Sequence, residues 1–147
     1  GKCYGGYDPM LTAKELGVED YVDFIGWLDL QKIPSLIEVS DIGIFTPPSD
    51  REEINKTIAT KNYQFLVMQK PMIVGKALYM KEFTEQNDIG LSVDETDASS
   101  IASAILKLAD DKELQKNVQK QCQQLGDRYF WEETSKSLLT AYKSISK

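Results

Sequence analysis

Apolar positions along this chain fall into short blocks that alternate between two periods. Met10, Leu11 and Leu16 form one helical stripe, opened by Asp8-Pro9 and closed by Gly17. Asp accepts a bond from first-turn amides, Pro tolerates that turn, and Gly accepts the left-handed turn beyond a helix. Tyr21-Val22-Asp23-Phe24-Ile25-Gly26-Trp27 alternates and predicts a strand. Ile33–Ser40 predicts a short helix, and Asp41–Pro48 a buried strand stopped by prolines. Ser49 to Thr60 reads as a polar loop. Thr60 is then expected to cap a helix whose inward face carries Tyr63, Leu66 and Val67. Pro71 ends that helix, and the continuous apolar run Met72-Ile73-Val74 predicts a strand covered on both faces.

The rest repeats the scheme. A helix is expected near Tyr79–Gln86 and a strand at Ile89–Val93. Asp97 and Asp111 cap two further helices, and Phe130-Trp131-Glu132-Glu133 opens a last one bearing Leu138, Leu139, Tyr142 and Ile145. Gly1-Lys2-Cys3-Tyr4-Gly5-Gly6 reads as a turn following a strand. Alternating strands and helices imply an α/β fold: a Rossmann-like parallel sheet with helices on both faces. In such sheets ligands bind outside the carboxyl ends of the strands, and helix N-termini there favour phosphates. The Ser49–Thr60 loop and the start of the Thr60 helix occupy that end.

Composition narrows the chemistry. The 147 residues are enough for one domain, and 41% hydrophobic with 27% charged residues is ordinary for a globular protein. A net charge of −6 disfavours a nucleic-acid partner. There is no apolar run of the ~18 residues that a spanning helix needs and no secretory signal, so a cytoplasmic location is expected. Cys3 and Cys122 are expected to be free thiols. The chain has no histidine, which removes Ser-His-Asp and Cys-His catalysis, imidazole metal sites and histidine bases. Chemistry is left to carboxylates, Lys, Arg, Tyr, amides and backbone dipoles.

The stretch Ile58-Ala59-Thr60-Lys61-Asn62-Tyr63-Gln64-Phe65-Leu66-Val67-Met68-Gln69-Lys70-Pro71-Met72-Ile73 resembles the donor-binding helix of retaining GT-B glycosyltransferases. Many members read roughly Pro-Asn-Lys-Leu-Phe-Glu-Tyr-Met-Ala-Ala-Gly-Lys-Pro-Val-Ile there. Leu16-Gly17-Val18-Glu19-Asp20-Tyr21-Val22-Asp23-Phe24-Ile25-Gly26-Trp27 is similar to a second family segment. Gly90-Leu91-Ser92-Val93, Asp97 to Ile105 and Tyr129-Phe130-Trp131-Glu132 resemble the family's ending. The resemblance covers nearly the whole chain in order. It implies the C-terminal, nucleotide-sugar-binding half of a GT-B fold, expected here to lack its first strand–helix unit and the N-terminal acceptor domain. The implied activity, of bacterial type and serving polysaccharide biosynthesis, moves a hexosyl group from a nucleoside diphosphate sugar to a glycan or lipid-linked acceptor with retention. This fragment alone is expected to be inactive. No metal or other cofactor is implied, and peripheral membrane association of the full-length protein is compatible with a lipid-linked acceptor.

The resemblance also nominates residues. Gln64 lies where members have the glutamate that binds the ribose hydroxyls, with a surface glutamine as the plain alternative. Lys61 is a candidate to face the diphosphate from the helix N-terminus beside Thr60, or is simply solvated. Arg51 and Lys56 are further cation candidates. Lys56 occupies the position of a sugar-contacting glutamate, leaving Glu52 and Glu53 as the nearest carboxylates. Trp27 either lines the nucleobase pocket or is a core aromatic. Phe130 and Trp131 are expected to pack. Ala59, Gln64 and Gln69 depart from the family's Pro, Glu and Gly. Two rival readings stand beside the transferase: a degenerate, non-catalytic GT-B-like module used for assembly, and a GT-B-type sugar-nucleotide epimerase.

Overall fold

A computed structural model describes residues 8–145. The glycine-rich turn expected at Gly1–Gly6, with Cys3, lies outside the described residues. Two compact units divide at residues 35 and 36. In the first, helix α1 (Pro9–Glu15) starts where its sequence says it should: the Asp8 carboxylate accepts from the amides of Met10 at 3.0 Å and Leu11 at 3.4 Å. Gly17, at φ +65°, ends it, with Gly17 N–H donating to the Lys14 carbonyl and Val18 N–H to that of Ala13. This pair of bonds is a Schellman motif.

The strand expected over Tyr21–Trp27 does not form. A 3₁₀ turn spans Glu19–Tyr21, and residues 22–29 carry no ladder. Alternation creates a strand only where a second strand supplies hydrogen bonds. The first unit has none among its described residues, and Val22, Phe24, Ile25 and Trp27 are all exposed. Helix α2 (Ile33–Glu38) follows.

The second unit is built on three parallel strands, β1 (Gly43–Phe45), β2 (Met72–Val74) and β3 (Gly90–Ser92), in that order across the sheet. Gly43, Ile44 and Phe45 pair with Met72, Ile73 and Val74, which pair in turn with Gly90, Leu91 and Ser92. Every residue of β2 is fully buried, as its unbroken apolar run requires. Its side chains alternate between two cores. Met72 and Val74 join Leu66, Ala77, Met80, Ile89, Val118 and Cys122. These come mainly from helices α4 (Thr60–Val67), α5 (Leu78–Gln86) and α7 (Lys112–Gly126). Ile73 joins Val93, Ala104 and Leu108, the last two from α6 (Ala98–Asp110) on the opposite face. Both sheet faces are therefore helix-covered, as expected.

Asp97 caps α6 through the Ser99 amide at 2.9 Å, and Asp111 caps α7 through the Leu114 amide at 2.9 Å. Cys122 is wholly buried, its thiol directed at the carbonyls of Lys70 and Ile89, and burial pushes its pKa up to about 12. Helix α8 (Trp131–Ile145) buries no residue. Phe130 and Trp131 are exposed rather than packed, because α8 lays no face on the core clusters. None of the helices among the described residues is long and apolar enough to cross a membrane.

Candidate functional site at the carboxyl edge of the sheet

All three strands release their chains at one edge: Thr46-Pro47-Pro48-Ser49 after β1, Gly75-Lys76 after β2, and Val93-Asp94-Glu95 after β3. The polar segment after β1 is partly ordered as a short helix, α3 (Glu52–Asn55), which replaces the continuous loop expected from Ser49 to Thr60. Arg51 stands at its N-cap, exposed and extended, and its carbonyl accepts from the amides of Ile54 and Asn55. Glu53 is exposed in its first turn. Lys56 is ion-paired with Glu52 one turn earlier, in an exposed contact of small energetic weight.

The chain then enters α4 at Ala59, not Thr60. Ala59 is the extended N-cap and Thr60 the first helical residue. Alanine has no acceptor to offer, so the opening amides of α4 receive no side-chain cap. Thr60 and Lys61 are exposed and Gln64 is half-buried on the same short helix. Lys61 Nζ lies 4.1 Å above the centroid of the Phe45 ring, at the last residue of β1. Arg51, Glu53, Lys56, Thr60, Lys61 and Gln64 thus belong to one continuous stretch following β1. Trp27 belongs to the other unit. It is 79% exposed, so it is no core residue, and it lines a recess of about 680 Å³ with Gly26, Leu28 and Leu30.

Three features here escaped sequence reasoning. The Glu95 carboxylate collects the amide of Ser49 at 3.0 Å, the Ser49 hydroxyl, and the amide of Lys76 at 2.9 Å. Partial burial alone raises its pKa, but these donors and its own amide outweigh burial and hold it at about 2. Asp94 is held at about 2 by the Thr96 hydroxyl and by Lys76, whose ammonium lies 2.9 Å away. The same hydrogen bond to Asp94 raises the Lys76 pKa. Finally, Asn62, in the first turn of α4, is fully buried with both side-chain polar atoms unpartnered. Polar residues immediately after each strand were the signal available for Lys76, Asp94 and Glu95; for Asn62 it was the leucine that the resembled pattern carries at that position.

The family model of group 1 glycosyl transferases matches residues 9–125. The chain belongs to this family. This family member is also similar in fold to the solved structure of sucrose-phosphate synthase from Thermosynechococcus elongatus, at 16% sequence identity and a TM-score of 0.74. That match covers 93% of this chain and 33% of that one, so the chain spans about a third of that protein's length. A search of curated proteins finds no match. The fold is a Rossmann-like fragment of a GT-B architecture, as the resemblance implied. Within it, the candidates of residues 51–64 follow the first strand of the sheet at the end where open α/β sheets take ligands.

Proposed function

We propose that this chain is the nucleotide-sugar-binding domain of a glycosyltransferase that moves a sugar from a nucleoside diphosphate donor to a glycan or lipid-linked acceptor, with retention. The observation that carries the reading is the start of α4. Its opening amides have no side-chain cap, and Lys61 stands beside them over Phe45 at the carboxyl end of β1. Uncapped amides at the positive end of a helix, with a cation beside them, are the groups that stabilise charge on a diphosphate. A leaving diphosphate accumulates negative charge as the sugar–oxygen bond breaks, and fixed dipoles favour that transition state without needing a protein nucleophile. The absence of histidine is compatible with such chemistry. Gln64, one turn further on, would bind the ribose by accepting through Oε1 and donating through Nε2.

A nucleotide-binding module without transfer activity is the second reading. It is favoured by Lys56, which stands where a sugar-contacting glutamate would and is paired with Glu52. Calorimetry with UDP, GDP and ADP, free and as sugar conjugates, tests the common core of both readings. One nucleotide should bind, and Gln64→Ala and Lys61→Ala should each weaken it. No binding of any nucleotide overturns the assignment. Transfer of labelled sugar by the full-length protein separates the two readings.

A further inference from the structure

Five hydrogen bonds close a ring across the carboxyl edge of the sheet. Ser49 donates from both its amide and its hydroxyl to Glu95 Oε1, the amide bond being 3.0 Å. Glu95 Oε2 accepts from the Lys76 amide at 2.9 Å. Two residues on, the Leu78 amide donates to Asn55 Oδ1 at 2.9 Å. Asn55 Nδ2 returns to the Ser49 carbonyl at 2.6 Å. The circuit joins the segments after β1, β2 and β3 and the start of α5. Gly75 is buried inside it: a β-carbon there would lie 3.0 Å from Glu95 Oε2 and 3.4 Å from the Pro47 carbonyl.

We propose that Glu95 and Asn55 are positioning residues, which through this closed ring fix the segment 49–57 and with it the approach to α4. The proposal rests on the nucleotide-binding reading above. The physical case is geometric. Segment 49–57 carries Arg51, Glu53 and Lys56 on exposed positions and contributes only Ile54 to the apolar clusters. Burial gives it little hold, so its hydrogen bonds set its position. Asn55 uses both ends of its carboxamide, and Glu95 uses both oxygens. No other residue type delivers either pattern at that length: aspartate at 55 lacks the donor, and glutamine at 95 lacks the second acceptor. The bonds share one circuit, so losing one loosens the geometry of the others and their effects are coupled.

The test uses four variants: Glu95→Ala, Glu95→Gln, Asn55→Asp, and the double variant Glu95→Ala with Asn55→Asp. Two readouts are taken, amide hydrogen exchange of residues 46–57 and calorimetric affinity for whichever of UDP, GDP or ADP the parent protein binds. Glu95→Ala should speed exchange in this segment and weaken the nucleotide by about 10- to 100-fold, the cost of a misplaced binding group. Glu95→Gln, which keeps one acceptor, should recover part of both. The double variant should be no worse than the poorer single one, since a ring already open is not opened again. Parental exchange in Glu95→Ala, an unchanged nucleotide affinity, or strictly additive losses would each overturn the proposal. If the parent protein binds no nucleotide, the nucleotide-domain reading falls and the positioning role with it. Exchange then still shows whether Glu95 holds the segment.

Discussion

Lys61 Nζ rests 4.1 Å above the centre of the Phe45 ring, joining the first turn of α4 to the last residue of β1. A cation over an aromatic face at an exposed site is worth about 0.5–1 kcal/mol. The gain here is placement: a long, mobile lysine is held at the sheet's carboxyl edge rather than spread through solvent. Phe45→Leu keeps the apolar bulk and removes the ring face. It should weaken nucleoside diphosphate binding by about 2- to 5-fold, the equivalent of that energy, and Lys61→Ala by more. Calorimetry at low and high salt checks this. A Phe45→Leu variant that binds as the parent does would show that the ring does not place the lysine.

Helix α4 ends in a residue that its backbone does not suit. Gln69 sits at φ +56°, with its amide donating to the Leu66 carbonyl at 2.9 Å and the Lys70 amide to that of Phe65 at 2.8 Å. This is the Schellman pattern found at Gly17, but a β-carbon in the left-handed region carries a steric cost of about 1–2 kcal/mol. Asp88, at φ +52°, ends α5 through the same two bonds, to Glu85 and Thr84. Both side chains are exposed, so their removal loses no packing. Gln69→Gly should stabilise by about 0.5–1 kcal/mol after the larger unfolded-state entropy of glycine is deducted, and Asp88→Gly likewise. A calorimetric rise in Tm of roughly 2–4 °C for each is expected. A fall in Tm at Gln69 would show that the glutamine side chain makes a contact worth more than the strain.

What was readable in the chain depended on how local its cause was. Asp8, Asp97 and Asp111 act on amides two or three residues away, and each caps its helix as its position implies. Met72-Ile73-Val74 announced a doubly covered strand, and β2 has those limits. The Tyr21–Trp27 alternation failed because a strand is a property of two segments. The Gln69 turn was hidden in the residue itself, since glutamine does not favour a left-handed backbone, and showed only in the glycine of the resembled pattern; Asp88 is a residue that tolerates that region but does not by itself mark it. The candidate stretch from Arg51 to Gln64 was visible through its pattern, but the ring that braces it was not. Ser49 and Glu95 are 46 positions apart and Asn55 and Leu78 are 23 apart, distances over which no periodicity reaches.

Asn62 is a second conflict between residue and place. It is buried beside Leu66 on the inward face of α4, and neither its Oδ1 nor its Nδ2 has a partner among the described residues. An unsatisfied buried polar group costs about 1–3 kcal/mol. The resembled pattern has leucine at this position, a side chain with the same branching and heavy-atom count but no polar atom. Asn62→Leu should therefore raise stability to denaturant by roughly that amount, with an unchanged m-value. A loss of stability would show that the site cannot take the bulkier leucine or that the carboxamide is satisfied by a buried water.

The Glu95 carboxylate also sets how the fold responds to acid. Its pKa in the folded chain, about 2, lies below the ordinary glutamate value of 4.5. Folding therefore favours the ionised form. A depressed carboxylate contributes its stability in full above the ordinary value and loses it as the pH falls through the folded one. Asp94 behaves alike, from 3.8 down to about 2. Denaturant titrations of the parent and Glu95→Gln should show a stability difference that is constant from about pH 5 to 8 and shrinks steadily between about 4.5 and 2. Asp94→Asn should show a similar convergence starting at lower pH. A difference between parent and Glu95→Gln that does not change across that acid range would mean that Glu95 accepts its three bonds without gaining from its charge, and that the ring is held by geometry alone.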